Sequence, residues 1–283
     1  MTGADPRDWF RFARDRVSGT EAVRAAFHSH AYDPHFHDQV LVGVTERGLQ
    51  QFRCRRQLVR STPGRVILME PGETHDGEAG ASSGFVYAML YFDPVWLRDA
   101  AAQHAGVSDG ASAFGFPATL VDDPGLARAI LAAWRQVAAP GSRMAREAAL
   151  DRVVALLWRR RGENRIASIH APRLARQARA MMDDAFGTDL GLQMMADQLG
   201  TDRFHLTRSF KAAYGLAPHA YLVQRRLSHA RRMLAGGAMP AAVAAAAGFA
   251  DQSHLGRWFR RAYGMTPAAY RRLCTNLPDS APA

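Results

Sequence analysis

The sequence predicts an α+β chain of two domains, an N-terminal β-barrel with covering helices and a C-terminal all-α domain built on a tandem helix-turn-helix. Three observations predict it. The segment 205–221, HLTRSFKAAYGLAPHAY, returns at 254–270 as HLGRWFRRAYGMTPAAY, with 10 of 17 aligned positions identical. Unrelated segments of average composition would share about one. The net charge of +10 is also unevenly held: residues 164–283 carry 16 Lys/Arg against 7 Asp/Glu, whereas 1–163 carry 20 against 19. Finally, the texture changes once, from short strand-like runs before Phe92 to Ala-rich helical periods after Pro94. A chain of 283 residues suits two such domains better than one core.

From about Ala22 to Phe92 the strand-like runs are VLVGV at 40–44, LQQFRC at 49–54, RVILM at 65–69 and FVYAMLYF at 85–92. Turn signals at Glu46-Arg47-Gly48, Pro63-Gly64 and Pro71-Gly72 separate them. Regular short strands suit a barrel or sandwich. Helices are expected near 94–104, 124–138 and 142–161. The last sets Met144, Ala148, Leu150, Val153, Val154, Leu157 and Trp158 on a broad apolar stripe, with Arg143, Arg146, Arg152 and Arg159 elsewhere. That stripe suits a core and a symmetry mate alike, so a homodimer is expected.

Residues 162–171, GENRIASIHA, read as a linker between a first domain at 1–161 and a second at 172–275. Helices are expected at 172–185, 189–199, 202–213, 218–234, 240–247, 251–262 and 267–274, with Pro172 in a first turn. Gly187, Gly200, Gly215, Gly236-Gly237, Gly248 and Gly264 stop them. The tail NLPDSAPA at 276–283 is too polar and Pro-rich to fold.

Composition excludes several classes. Cys54 and Cys274 are too few for a disulfide framework and are not spaced as metal ligands. Asp5, Arg7, Asp8, Arg11, Arg14 and Asp15 leave no signal-peptide core. The longest uncharged apolar run, Ala241 to Ala250, is half the roughly 20 residues of a membrane span. A cytoplasmic chain without a membrane partner is expected. No nucleophile elbow, phosphate-cradling glycine loop or zinc-finger spacing is present, so no enzyme is expected.

Within the repeat, Leu192, Met195, Ala196 and Leu199 read as the inner face of a supporting helix, and Gly200-Thr201 as the turn, with Thr201 as N-cap. On the next helix Leu206, Phe210 and Ala213 face inward, leaving Arg203, Phe204, Thr207, Arg208 and Lys211 outside. In the second copy Val243, Ala246 and Ala247 support, Leu255 and Phe259 face inward, and Gln252, Ser253, Gly256, Arg257 and Arg260 point outward. Arginine bridges guanine O6 and N7, and glutamine pairs with adenine N6 and N7. Both outer faces therefore suit double-stranded DNA. Arg208 and Arg257 suit either a base edge or a phosphate, and His205 and His254 sit beside the inward leucines in a structural or phosphate-binding place. A helix at 218–234 is long enough to separate two readers by about one turn of duplex, near 34 Å. Its Arg225, Arg226, Arg231 and Arg232 suit phosphates or a solvated face.

Ala244, Gly248, Phe249 and then His254 to Tyr270 resemble the signature of AraC/XylS-type transcriptional regulators, and the resemblance covers roughly 171–275. It implies base contacts from Arg203, Phe204, Thr207 and Arg208, then from Gln252, Ser253 and Arg257. It also implies promoter DNA and RNA polymerase as partners and activation of transcription. The chain departs from the pattern at Gly256, which has no side chain to offer, and at Ala250, a poor cap.

In the first domain, His35 and His37 in HFHD, and Pro71, Gly72 and His75 with Gly64, resemble the two half-motifs of a cupin barrel. Three histidines from two strands suit a divalent metal, yet Gln39 follows the pair and Glu46 lies beyond the place where a metal-binding cupin carries its glutamate. No metal or cofactor is expected; His35, His37, His75, Tyr87 and Tyr91 are expected to line a pocket for a small-molecule effector. Glu70 and Glu73 suit a cationic ligand or an exposed turn. The expected whole is a ligand-responsive, sequence-specific regulator. The alternatives are a metal-dependent cupin enzyme with an accessory DNA-binding domain and a ligand-independent architectural binder.

Overall fold

A computed structural model describes residues 7–29, 31–55, 57–105, 115–139, 142–160 and 171–275. The chain divides into two compact units, Met1–Ile166 and Ala167–Ala283. Most of the expected linker, and the tail from 276, lie outside the described residues.

The first unit runs β1 (Trp9–Arg14), β2 (Glu21–Phe27), β3 (Tyr32–His35), β4 (Val40–Gly48), β5 (Gln50–Cys54), β6 (Gln57–Ser61), β7 (Arg65–Met69), β8 (His75–Ala79), β9 (Phe85–Phe92), α1 (Pro94–Ala105), β10 (Leu120–Asp122), α2 (Pro124–Ala138) and α3 (Arg143–Arg160). Its strands form two sheets of antiparallel pairs, in orders β1-β2-β9-β4-β7-β10 and β3-β8-β5-β6. The expected barrel or sandwich of short strands is thus present as two sheets rather than one closed barrel.

The central strands β4, β7 and β9 of the six-stranded sheet are buried on both faces, which explains why they read as unbroken apolar runs rather than alternating ones. On one face Val40, Val42, Val44, Val66, Leu68, Ala88, Leu90 and Phe92 pack with Leu97 of α1, Leu126 and Ile130 of α2, and Leu150, Val153, Val154 and Leu157 of α3. On the other, Leu41, Ile67, Met69, Phe85, Tyr87 and Met89 pack with Phe52 and Cys54 of the smaller sheet. The apolar stripe expected on 142–161 therefore splits. Its centre is core, whereas Met144 is 78% exposed.

An ion cluster ties the smaller sheet to the turn before β8. Arg55, whose φ of 51° is unusual for a side-chain-bearing residue, bonds Glu73, reaches Glu70 at 3.1 Å and donates to the Phe116 carbonyl at 2.8 Å. Glu70 in turn accepts from the Phe116 amide at 2.8 Å. Burial pushes the Glu70 carboxyl up, against the pull of Arg55. Glu70 and Glu73 are thus partners of Arg55, not an exposed turn.

The second unit comprises α4 (Arg173–Asp184), α5 (Leu192–Gln198), α6 (Arg203–Tyr214), α7 (Pro218–Ala235), α8 (Pro240–Ala246), α9 (Gln252–Tyr263) and α10 (Pro267–Thr275). α7 packs against α4, α6, α8, α9 and α10 and is the axis of the unit. Among the described residues no helix is long and apolar enough to cross a membrane.

Two glycines in α8–α10 have left-handed backbones with different surroundings. Gly248 has φ 75°, and a Cβ there would lie 2.9 Å from the Gly187 carbonyl oxygen. Gly264, with φ 70°, has nothing within 4 Å of such an atom. Gly264→Ala should therefore cost only the left-handed penalty of about 1–2 kcal/mol, and Gly248→Ala more, because backbone must also move. Urea unfolding of both variants checks the order; equal losses would show that the Gly187 contact relaxes freely.

Candidate nucleic-acid interface and effector site

Each repeat copy builds the same device. In the first, α5 is joined to α6 by residues 199–202, and Asp202 caps α6 by accepting from the amides of Phe204 at 2.9 Å and His205 at 2.8 Å. The N-cap is Asp202, not Thr201: the carboxylate sits one residue later, where it reaches two of the free amides that open a helix. These bonds hold the Asp202 carboxyl below its usual range. Leu206 and Phe210 are fully buried, and Phe210 meets Tyr221 of α7 with ring centroids 5.3 Å apart. Arg203, Phe204, Arg208 and Lys211 are exposed, as is His205. Thr207 is half-buried and returns its hydroxyl to the Arg203 carbonyl at 2.7 Å. Phe204 is 62% exposed, an unusual place for such a side chain, with the Arg203 guanidinium 4.9 Å from its ring centre.

In the second copy α8 is joined to α9 by residues 247–251, and Asp251 caps α9 through the His254 amide at 2.6 Å. Asp251, not Ala250, holds the cap position. Leu255 and Phe259 are fully buried, while Gln252, Ser253, Arg257 and Arg260 are exposed. His254 accepts from the Trp258 indole at 2.9 Å, a contact that keeps the imidazole within the protein. Gly256 lies on the same face, with nothing within 4 Å of where a Cβ would stand.

The arginines of α7 divide differently from the sequence reading. Arg225 pairs with Asp183 at 2.8 Å, and Arg226 donates to the carbonyls of Phe186 at 2.7 Å and Thr188 at 2.8 Å. Arg231 is buried, bonded to the Tyr270 hydroxyl at 3.2 Å and 5.0 Å from the Tyr263 ring centre. Arg271 of α10 is buried too and donates to the Gly237 carbonyl at 2.9 Å. These four cations clamp the helices around α7; Arg232 alone of the α7 arginines is exposed. What remains outside on α6 and α9 is Arg203, Arg208, Lys211, Arg257, Arg260 and Arg261, with no acidic residue inside either helix. A surface of that sign and spacing suits a polyanion.

In the first unit the expected effector residues are brought together. His35 of β3 stands opposite His75 of β8 in the ladder, and His37 follows on the connection to β4. Their ring centroids lie 4.5 to 5.3 Å apart, and His37 meets Tyr91 of β9 edge-on at 5.4 Å. Tyr87, on the same face of β9 with Met89 between it and Tyr91, is buried against Phe27 and Phe85 and bonds Tyr32. Tyr32 thus joins this cluster; its place after a turn-like His28-Ser29 gave no strand signal. Burial pushes the His35 imidazole down, and burial with neighbouring His35 pushes His75 down to about 3. Burial and Glu73 push the Cys54 thiol up to about 11.

Comparison with known proteins agrees with both halves. Residues 18–154 match the AraC-like ligand binding domain, and residues 195–273 match a helix-turn-helix domain. An uncharacterized HTH-type transcriptional regulator of Bacillus subtilis (strain 168), YbfI, is 23% identical over 234 residues, covering 82% of this chain and 84% of that one. An apo point variant of ToxT from Vibrio cholerae strain SCE256 has the same fold at 12% identity, with a TM-score of 0.52 over 96% of this chain and 99% of that one. Wild-type ToxT from the same organism, with an unsaturated fatty acid bound, superimposes with a TM-score of 0.53 at 11% identity over 99% and 100% of the two chains. With a ligand-binding half and a helix-turn-helix half in this order, the chain belongs to the AraC/XylS family of transcriptional regulators.

Proposed function

We propose that this regulator is sequence-specific and ligand-responsive, and that α6 and α9 read two successive major-groove segments of promoter DNA. The observation that supports it is the equivalence of the two helices: each has an aspartate cap, a buried Leu–Phe back and an exposed cationic face, and both pack on α7. At about 1.5 Å per residue, the 18 residues of α7 span about 27 Å, a spacing on the scale of one duplex turn. Arg203, Phe204, Thr207, Arg208 and Lys211 face the first segment, and Gln252, Ser253, Arg257 and Arg260 the second. An exposed phenylalanine such as Phe204 suits a thymine methyl group.

His35, His37, His75, Tyr87 and Tyr91 line the effector site in this reading. Their mixture of imidazole and aromatic surface suits a small molecule with a polar head and an apolar body; ToxT, of the same fold, holds an unsaturated fatty acid. The effector acts by binding one arrangement of the protein more tightly than another, which shifts where the two DNA-binding surfaces stand. A homodimer through the exposed part of α3 around Met144, a contact with RNA polymerase, a cytoplasmic location and the absence of catalysis complete the proposal.

Arg208→Gln and Arg257→Gln test base reading. Each should lose about 1–3 kcal/mol on the DNA flanking the protein's own gene and distinctly less on random duplex, measured by competition gel shift. Equal losses on all DNA would reassign both to phosphates and leave an architectural binder as the better description.

Gly256 tests how closely α9 approaches. A glycine inside an exposed helix costs about 1 kcal/mol relative to alanine, and here alanine meets no obstacle. Gly256→Ala should therefore raise stability to urea by up to about 1 kcal/mol while weakening binding to the same DNA. Binding that is unchanged or tighter would show that the α9 backbone does not come near the duplex at this point.

A further inference from the structure

The histidine cluster of the first unit has a property that a polar pocket does not require. One ring nitrogen from each of His35, His37 and His75 lies within 4.8 Å of the others. The approach is fixed by backbone, since His35 and His75 are ladder partners across β3 and β8. One nitrogen of each of two rings is committed: His35 Nδ1 is 2.7 Å from the Asp33 carbonyl oxygen, and His75 Nδ1 is 2.9 Å from the Glu73 carbonyl oxygen. A carbonyl oxygen only accepts, so each Nδ1 carries the ring proton. Each neutral ring then offers a lone pair at Nε2.

Lone pairs on His35 and His75, with a ring nitrogen of His37 in the same 4.8 Å cluster, suit an electron-poor centre held among them. Backbone carbonyls that hold the remote N–H and leave the near nitrogen bare are the usual orienting shell of imidazole metal ligands. The sequence pattern alone argued the other way, because the carboxylate of a metal-binding cupin is absent. A three-imidazole set needs no carboxylate, however, and with borderline metals it leaves a position open.

We propose that His35, His37 and His75 together bind one divalent transition-metal ion of the zinc type. Three neutral ligands leave the ion its full charge, which suits an oxygen donor from the effector at the open position. That coupling to sensing rests on the effector reading above; the binding of the ion does not.

The test uses the untagged full-length chain, stripped with a chelator and titrated with Co2+. Visible d–d absorption should grow to saturation at one equivalent per chain and be abolished by Zn2+. His37→Gln and His75→Gln should each weaken binding at least about tenfold, the lower bound for loss of even an outer-shell partner. His104→Gln, on the exposed side of α1, should not. Circular dichroism confirms folding, and His35→Gln, at a half-buried position, serves where a buried variant fails to fold. A chain that binds DNA but shows no saturable Co2+ signal, or variants that bind as tightly as the parent, would overturn the site. A chain that binds Co2+ at one equivalent but no DNA would instead overturn the regulatory reading and leave the metal site standing.

Discussion

Burial of one leucine and one phenylalanine on each recognition helix is the constraint on which the C-terminal unit depends. Leu206, Phe210, Leu255 and Phe259 are all fully buried, and each is worth about 1.5–3 kcal/mol. Their sum is several times the discrimination that any single base contact supplies. The backs of α6 and α9 therefore fix where these helices stand, and their outer faces are free to differ. That separation of duties explains how the same scaffold carries Phe204 on one copy and Ser253 at the corresponding place on the other.

A related economy governs the cations. Several arginines that raise the charge of this half never face outward: Arg225, Arg226, Arg231 and Arg271 are spent on carbonyls, Asp183 and tyrosine rings. Guanidinium suits this work because its planar fork serves several acceptors while staying charged. The net charge thus overstates the surface available to a polyanion, and the outward cations concentrate on the two helices that repeat. In the N-terminal unit the equivalent constraint is the six-stranded sheet with both faces covered. One face anchors the helices, while the other supports the residues that approach the histidines from β9.

Much of this was legible in the sequence because period and repetition report burial directly. The runs at 65–69 and 85–92, the helix at 124–138 and the seven helices after residue 172 appear within a residue or a few of their expected limits. The inward residues Leu206, Phe210, Leu255 and Phe259 follow from helical spacing alone. The strands β1, β2, β3, β6, β8 and β10 did not declare themselves; β1, β3, β6 and β10 lie at sheet edges, where polar residues such as Asp33 and Gln57 are tolerated, and β2 and β8 interrupt their apolar residues with Arg24, Asp76 and Glu78. Roles that depend on a distant partner were also hidden. Nothing near Arg55 in the chain points to Phe116, and nothing near Arg231 points to Tyr270. The caps were within reach: an aspartate directly before each apolar period, at 202 and 251, is the ordinary start signal. Convergence of the histidines had a sequence signal, but the carbonyls that set their tautomers had none.

The central claim is that two equivalent helices on one chain engage neighbouring stretches of the same duplex. Hydroxyl-radical footprinting of the full-length protein on the DNA flanking its own gene tests it most directly. The account predicts, for each bound chain, two protected patches centred about one helical turn apart on the same face of the duplex. A single patch per chain, or uniform protection without a preferred position, would contradict it.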